Sequence, residues 1–281
     1  MSQYDLEPLD FSGLKTIPIR ERGGKVRLEH FAKPYQKGGV AAWLDSLPHL
    51  LAADGFRAVI EAIEAARAAG KPILWGMGGH VIKCGLAPVL TDLMRRGFAT
   101  AFAMNGSAAI HDFEIAIAGA TSEDVDAVLP DGRFGVAEET GREMNAAIVE
   151  GDRDSLGMGE ALGRRLVTEP PPPGSGDSLL AAAYLNRTPV TVHVAIGTDT
   201  PHMHPAADPA AIGRATHRDL RLFCRLEDFT TVNLDFLLHY RPRVNVIERP
   251  HTRSGGRGIA ITGHHELMVP LLAAALIERQ S

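Results

Sequence analysis

One stretch of the sequence, from Pro72 to Val125, constrains the fold of this chain more than any other. Its apolar run 73–75 shows no alternation with polar residues, which is typical of a strand buried on both faces. Three glycines within positions 76–79 then free the backbone to turn sharply, and a segment of helical periodicity follows. A second apolar run, 98–104, ends at Asn105-Gly106-Ser107 before another helix. The stretch therefore predicts two parallel strands whose carboxyl ends meet at one edge of a sheet, where open α/β sheets bind ligands.

The same alternation continues to the end of the chain. Residues 188–196 and 258–261 predict further strands, and each ends in a polar turn. We therefore expect an α/β fold with a Rossmann-like parallel sheet flanked by helices. Residues 1–40 are irregular and polar and predict an N-terminal arm, and 41–281 predict a single domain. The proline-rich segment 169–176 is a loop within that domain, because the α/β pattern resumes after it.

Composition excludes several classes of protein. With 45% hydrophobic and 22% charged residues among 281, the chain resembles an ordinary globular protein. Its net charge of −5 gives no reason to expect nucleic acid or an anionic membrane as a partner. No segment reads as a signal peptide or a membrane span. Cys84 and Cys224 are too distant in sequence to suggest a metal clip or a redox pair, so we expect a cytoplasmic protein.

The first polar turn, Gly-Met-Gly-Gly-His at 76–80, follows the predicted strand directly. Gly78 and Gly79 would let a phosphate approach the backbone, and His80 can donate to it. The turn is not the full Gly-x-Gly-x-x-Gly fingerprint, and a tight turn without a ligand explains the glycines equally well.

The second turn leads from Asn105 into a helix that carries His111, Asp112 and Glu114. The two carboxylates suit a substrate ammonium or ribose hydroxyls, and the imidazole can carry a proton near neutral pH. The alternative is that the acidic residues only stabilise the start of a helix.

The third turn, Gly-Thr-Asp-Thr-Pro-His-Met-His at 197–204, follows the predicted strand 188–196. Asp199 at this strand end could bind ribose or a cationic substrate. His202 and His204 occupy alternate positions, which in an extended segment allows both to share one zinc ion. A fourth strand end carries His264, His265 and Glu266.

The order of these turns resembles the deoxyhypusine synthase family over roughly residues 70–275. The segments that carry the resemblance are GMGGHVIKCG, AMNGSAAIHDFEIAI, SLLAAAYLNRTPVTVHVAIGTD and HELMVPLLAAAL. Thr198 and Asp199 match a Thr-Asp-Gly turn of that family, and His264 stands where the family carries an NAD-contacting aspartate. The resemblance implies bound NAD, a homotetramer and chemistry on a polyamine. The family's Gly-Gly-Gly-x-x-Lys segment is absent, because 220–246 contain no lysine, so imine transfer through a lysine has no carrier.

The pattern from Asn105 to Glu114 also resembles the archaeal-type NAD-dependent ornithine cyclodeaminase domain, whose amine oxidation needs no lysine carrier. We therefore expect an NAD-binding enzyme that dehydrogenates a small amine, either a polyamine or an amino acid, to an imine. The expected catalytic residues are His111, Asp112, Glu114 and His202. The expected cofactor contacts, with no metal ligand among them, are Gly78, Gly79, His80, Asn105, Gly106, Ser107, Thr198, Asp199 and His264.

Two other hypotheses stay open on the sequence alone. One is a metal-dependent hydrolase that uses His202, His204, His111 and Asp112. The other is a non-catalytic protein that binds NAD.

Overall fold

A four-stranded parallel sheet forms the centre of the molecule. The computed structural model describes residues 7–225, 230–234, 258–259 and 261–280. The strands, β1 to β4, span Ile73–Met77, Ala101–Asn105, Val190–His193 and Thr230–Leu234. Their order is β3-β2-β1-β4, which is the order of the first four strands in a Rossmann sheet. The predicted α/β, Rossmann-like class is therefore confirmed.

Helices connect and flank the strands. They are α1 (Gly39–Ser46), α2 (Leu51–Ala68), α3 (Gly79–Lys83), α4 (Ala87–Arg95), α5 (Gly106–Ala118), α6 (Val125–Val128), α7 (Glu138–Arg153), α8 (Met158–Val167), α9 (Leu179–Leu185), α10 (Pro209–Phe223) and α11 (His265–Glu278). Short 3₁₀ turns lie at Leu28–His30, Leu129–Asp131, Ser175–Asp177 and Thr200–Met203. In the part of the chain described, no helix is long and apolar enough to cross a membrane.

The sheet is buried on both faces, as the unbroken apolar runs predict. Every residue of β1 is buried. Ile73, Trp75 and Met77 belong to the main core, whereas Leu74 packs with Ala101 and Ala103 in a second, smaller cluster. The Trp75 indole donates to the carbonyl of Phe98 at 2.9 Å, so its one polar atom is satisfied inside the core.

One strand of the sheet was not predicted from the sequence. Thr230–Leu234 pairs with β1 from Ile73 to Met77 and places β4 at the outer edge. The expected strand at 258–261 is wrong for positions 258, 259 and 261, which belong to no regular element. Ile259 and Ile261 instead approach Gly55 on α2. The run Thr-Thr-Val-Asn-Leu contains two apolar residues among polar ones, so its pattern is too weakly hydrophobic to predict a strand.

The N-terminal segment 7–38 is largely exposed and contains a single 3₁₀ turn in its described part. Large apolar side chains along it lie open to solvent, among them Leu9, Phe11, Leu14, Ile17 and Ile19. Backbone bonds such as Lys33 N to Ser46 O at 2.9 Å join it to α1. The division into an arm at 1–40 and one domain at 41–281 stays a prediction.

A buried carboxylate, Asp219 on α10, joins two other elements. Its Oδ2 accepts from the backbone N–H of Gly159 at 2.9 Å and of Val192 at 2.8 Å. Burial raises the pKa of Asp219 from 3.8 to about 7, against the lowering effect of these backbone donors, and nearby Glu160 adds to the rise. Asp219 therefore ties the start of α8 to β3 and takes up a proton in the folded protein near neutral pH.

We expect Asp219 to make the folded protein less stable as pH rises from about 4 to about 7. An acid whose pKa is higher in the folded state holds its proton more tightly there. Its contribution to the free energy of unfolding is therefore complete below the pKa of the unfolded state and decreases as the pH rises to the pKa of the folded state. In Asp219→Asn this contribution is lost. Urea unfolding of both proteins at pH 5 and pH 8 should show that the free energy of unfolding decreases more in the wild type than in the variant. Equal decreases would contradict the assignment.

Candidate functional site

Two glycines bring three strand ends together at the carboxyl edge of the sheet. A Cβ on Gly106 would overlap the carboxylate of Asp199, which follows β3. A Cβ on Gly79, after β1, would overlap the Ser107 side chain and lie 2.9 Å from Cδ2 of His111. Only glycine allows these contacts, so the turns after β1, β2 and β3 form one continuous surface.

The start of α5 lies in the middle of this surface. The Asn105 side chain accepts from the N–H of Ala108 at 2.9 Å and caps the helix. The other N–H groups of a first helical turn have no partner within the helix, and the helix dipole favours an anion there. Because α5 has 13 residues, its N-terminus is a suitable place for a cofactor phosphate.

The turn after β3 is held by its own hydrogen bonds. Asp199 Oδ2 accepts from the N–H of Ala195 at 2.7 Å, and the Thr198 hydroxyl donates to the Ala195 carbonyl at 3.0 Å. Asp199 is half-buried beside Gly106, whereas Thr198 is exposed.

His111 and Glu114 form a hydrogen-bonded cluster on one side of α5. His111 Nδ1 lies 2.7 Å from the Thr121 hydroxyl, which donates to Glu114 Oε2 at 2.5 Å. Thr140 on α7 donates to the other carboxylate oxygen at 3.1 Å. His111 Nδ1 is itself 3.7 Å from Glu114 Oε2. The imidazole is thus oriented through one nitrogen, and both side chains keep partial exposure.

The electrostatics of this cluster keep Glu114 ionised. Burial works to raise its pKa, but hydrogen bonds from His111, Thr121 and Thr140, together with the His111 charge, bring the pKa below its ordinary value. The cluster therefore combines an ionised carboxylate with an imidazole, two groups that can take part in proton transfer.

An acidic cleft of about 710 Å³ opens beside this cluster. Carboxylates dominate its charged lining, and the single arginine, Arg165, donates to Glu143 at 2.6 Å. The charged and hydroxyl lining residues are Glu114, Thr121, Ser122, Glu123, Glu139, Thr140, Glu143 and Arg165. Sequence reasoning missed Thr121, Thr140 and the glutamates of α7, because they lie on different elements and carry no shared motif.

Asp112, an expected catalytic residue, lies inside the protein. It is fully buried, and its carboxylate accepts from the Ser178 hydroxyl at 2.6 Å and from the N–H groups of Leu179 and Leu180 at 2.8 and 2.9 Å. Burial raises its pKa, and these donors oppose that effect. Asp112 therefore caps α9, a helix 66 residues further along the chain, and does not face the acidic cleft.

The histidines after β3 are separated by their local structure. Residues 200–203 form a 3₁₀ turn, not the extended segment that shared metal binding would need. His204 instead packs on Gly141 and lies 3.1 Å from Glu138 Oε2. His202 is half-buried near Asp199, and burial lowers its pKa. Among the described residues, the four ligands of the hydrolase hypothesis are not gathered into a metal site.

His80 and His264, both expected cofactor contacts, each lie close to another polar side chain. His80 Nε2 is 3.3 Å from Cys84 Sγ, and His264 Nδ1 is 3.6 Å from Glu266 Oε1. The Cys84 thiol has a raised pKa because it is partly buried and faces the Glu266 carboxylate. No role for Cys84 or Glu266 was predicted from the sequence.

Comparison with known proteins identifies the fold. No protein-family model matches the chain, and no curated protein does. Among solved structures, AgrE in complex with L-arginine matches with a TM-score of 0.52 at 19% identity, covering 81% of this chain and 34% of AgrE. ArgZ, an arginine dihydrolase of the ornithine-ammonia cycle in Cyanobacteria, matches with a TM-score of 0.51 at 17% identity, covering 84% of this chain and 34% of ArgZ.

A third matching structure is a LOR/SDH protein from Methanococcus maripaludis S2. It matches with a TM-score of 0.51 at 16% identity, and the match covers 89% of this chain and 73% of the other. This chain therefore spans about a third of the length of ArgZ and AgrE. The likenesses establish a shared α/β fold. None of the three is a deoxyhypusine synthase, so the expected likeness to that family is corrected to this group of structures.

Replacing Asp112 by Ala should separate its structural role from a catalytic one. Because three donors lose their acceptor inside the protein, the free energy of unfolding should fall by about 3 kcal/mol. The affinity for NAD, the cofactor expected from the sequence, should be unchanged in the protein that remains folded. Chemical denaturation and calorimetric titration measure the two effects, with Ser178→Ala as a partner variant whose cost should not add fully to that of Asp112→Ala. A variant of normal stability that has lost its activity would show that the capping role is not the main one.

Proposed function

We propose that this protein is an NAD-dependent enzyme that dehydrogenates a small amine or amino acid to an imine. The observation that carries the proposal is the position of His111. Its ring approaches Gly79 at the carboxyl edge of the sheet, and its Nδ1 lies 2.7 Å from the hydroxyl of Thr121, which lines the acidic cleft. A cofactor and a cationic substrate would therefore meet at this side chain.

The carboxyl edge of the sheet fits a dinucleotide. No space remains for a side chain at Gly79 or Gly106, because side chains of the next turn occupy it. The start of α5 supplies a helix N-terminus for phosphate. Gly78, Gly79, Asn105, Gly106 and Ser107 would hold the pyrophosphate region, and Thr198 and Asp199 would lie beside the ribose. When bound, NAD⁺ would accept a hydride from the carbon that bears the amine.

The cleft fits a cationic substrate. Its glutamates outnumber its one arginine, which is already paired with Glu143. A desolvated ammonium needs a carboxylate partner, and Glu114 stays ionised at neutral pH. AgrE has been solved with L-arginine and also in a ternary complex with ornithine and NAD⁺. An amino acid with a cationic side chain is therefore the substrate class that we favour, ahead of a polyamine.

In the proposed mechanism His111 moves the proton. It takes a proton from the substrate ammonium, so that the nitrogen lone pair is free to form the C=N bond as the carbon loses a hydride. Thr121 orients the ring, and Glu114 stabilises the imidazolium that results. Asp112 supports this site only by joining α5 to α9. His202 lies near Asp199 and has no step of its own in this mechanism.

The other expectations from the sequence remain proposals, and fewer observations support them. A deoxyhypusine synthase activity has no lysine carrier between Leu220 and Val246, and the structures named above do not support a transferase class. A homotetramer and a cytoplasmic location stay predictions. The competing hypothesis is an NAD-binding protein without catalytic activity, and the experiment below separates it from the enzyme.

Titration with NAD⁺ followed by ornithine, arginine or spermidine should produce absorbance of reduced nicotinamide. His111→Gln should lower the rate of this reduction by about 10²–10⁴-fold, which is the usual contribution of a general base, with NAD affinity unchanged. Glu150→Gln is the matched control, because Glu150 is an exposed glutamate of α7 outside the cleft. It should reduce NAD⁺ at the wild-type rate.

Each contrary outcome has its own meaning. NAD binding without reduction by any of the three amines would overturn the enzymatic proposal in favour of the non-catalytic one. Failure of the folded protein to bind NAD would reject both.

A further inference from the structure

Three side chains that the proposed reaction does not use converge at the surface near the first turn. His80 on α3, Cys84 at the end of α3 and Glu266 on α11 each direct a potential ligand atom to one point, and these atoms lie within 4.8 Å of one another. In the described part of the chain no other such group occurs. We propose that they form a binding site for a divalent transition-metal ion, with Zn²⁺ as its preferred occupant.

The distances match tetrahedral coordination. With metal–sulfur and metal–nitrogen bonds of about 2.3 and 2.0 Å, neighbouring ligand atoms around zinc lie roughly 3.6 Å apart. His80 Nε2 lies 3.3 Å from Cys84 Sγ, and Cys84 Sγ lies 3.8 Å from Glu266 Oε2. The ligand atoms of the third pair, His80 and Glu266, lie within 4.8 Å of each other, so rotation of the side chains would be needed to bring all three around one ion.

The local structure explains why these residues meet. His80 and Cys84 are four positions apart on one helical turn, so their side chains lie on the same face. Glu266 is 182 residues beyond Cys84 and approaches from the first turn of α11. Two ligands from one short helix and a third from a distant element is a common way to build a metal site.

The donor set indicates which ion would bind. A thiolate with an imidazole favours zinc over magnesium or calcium, which prefer oxygen ligands. Glu266 uses Oε2 toward Cys84 and has Oε1 3.6 Å from His264, a histidine that can orient the carboxylate. With three protein ligands and an exposed position, the fourth site would be open to water or another ligand.

A hydrogen-bonded cluster without metal is the alternative. The Cys84 thiol can donate to Glu266 while its sulfur accepts from a protonated His80 Nε2, so hydrogen bonds alone would also satisfy the three side chains. A divalent cation would instead bind all three ligand atoms directly, with Cys84 as the thiolate, and the metal titration separates the two arrangements.

Titration of the metal-free, NAD-free protein with Co²⁺ and Zn²⁺ tests the site without any assay of activity. One equivalent of Co²⁺ should give a sulfur-to-cobalt charge-transfer band and the intense visible bands of tetrahedral coordination. Zn²⁺ should displace it. Cys84→Ser should abolish the charge-transfer band, and Glu266→Gln should weaken Zn²⁺ binding, measured against a chromophoric chelator, by more than about tenfold.

Cys224→Ser is the matched control, because Cys224 is an exposed cysteine at the end of α10. It should bind both metals as the wild type does. With 12 histidines in the chain, weak binding elsewhere is expected, and it would give no sulfur band. Absence of that band in the wild type, or Zn²⁺ affinity unchanged in Cys84→Ser, would overturn the proposal whatever the outcome of the NAD experiments. Near-identical circular dichroism spectra for the variants would show that they fold.

Discussion

The structure depends on close contact between backbone and side chains at the carboxyl edge of its parallel sheet. At Gly79 and Gly106 the space of a missing Cβ is taken by a polar side chain of the next turn, Ser107 or Asp199. Replacing either glycine would push the strand ends apart, so the position of each turn is set by its neighbour. This arrangement lets three separate strand ends act as one surface, and it also fixes the distance between that surface and His111.

Two buried carboxylates hold the outer helices onto this centre. Asp112 accepts the first N–H groups of α9, and Asp219 does the same at α8 while also bonding to β3. Each supplies carboxyl oxygens that accept from the backbone N–H groups at the start of a helix, which have no partner within that helix. Since both are almost completely excluded from solvent, losing either would leave several backbone donors unpaired, which makes them structural anchors even though their residue type suggests chemistry.

The sequence predicts the sheet well and the site in part. Apolar runs revealed β1 and β2, because strands buried on both faces need no polar alternation. The valines of β3 were enough to predict that strand, whereas β4, at the sheet edge, has no such pattern. The positions of Asn105 and His111 followed from their place after β2. The partner of Asp112 could not be predicted, because Ser178 is 66 residues away, and the 3₁₀ turn that separates His202 from His204 is set by packing on α7.

The two proposals together would divide the edge between two kinds of ligand. His80 and His264 were expected to contact the dinucleotide, but in the structure they lie beside Cys84 and Glu266. If His80 bound a cation there, it would not be available to the pyrophosphate. The backbone of the glycine turn and the start of α5 would then make the contacts to the pyrophosphate. A bound divalent ion would also add positive charge next to that anion. Metal binding and dinucleotide binding would therefore strengthen each other through electrostatics while using different atoms.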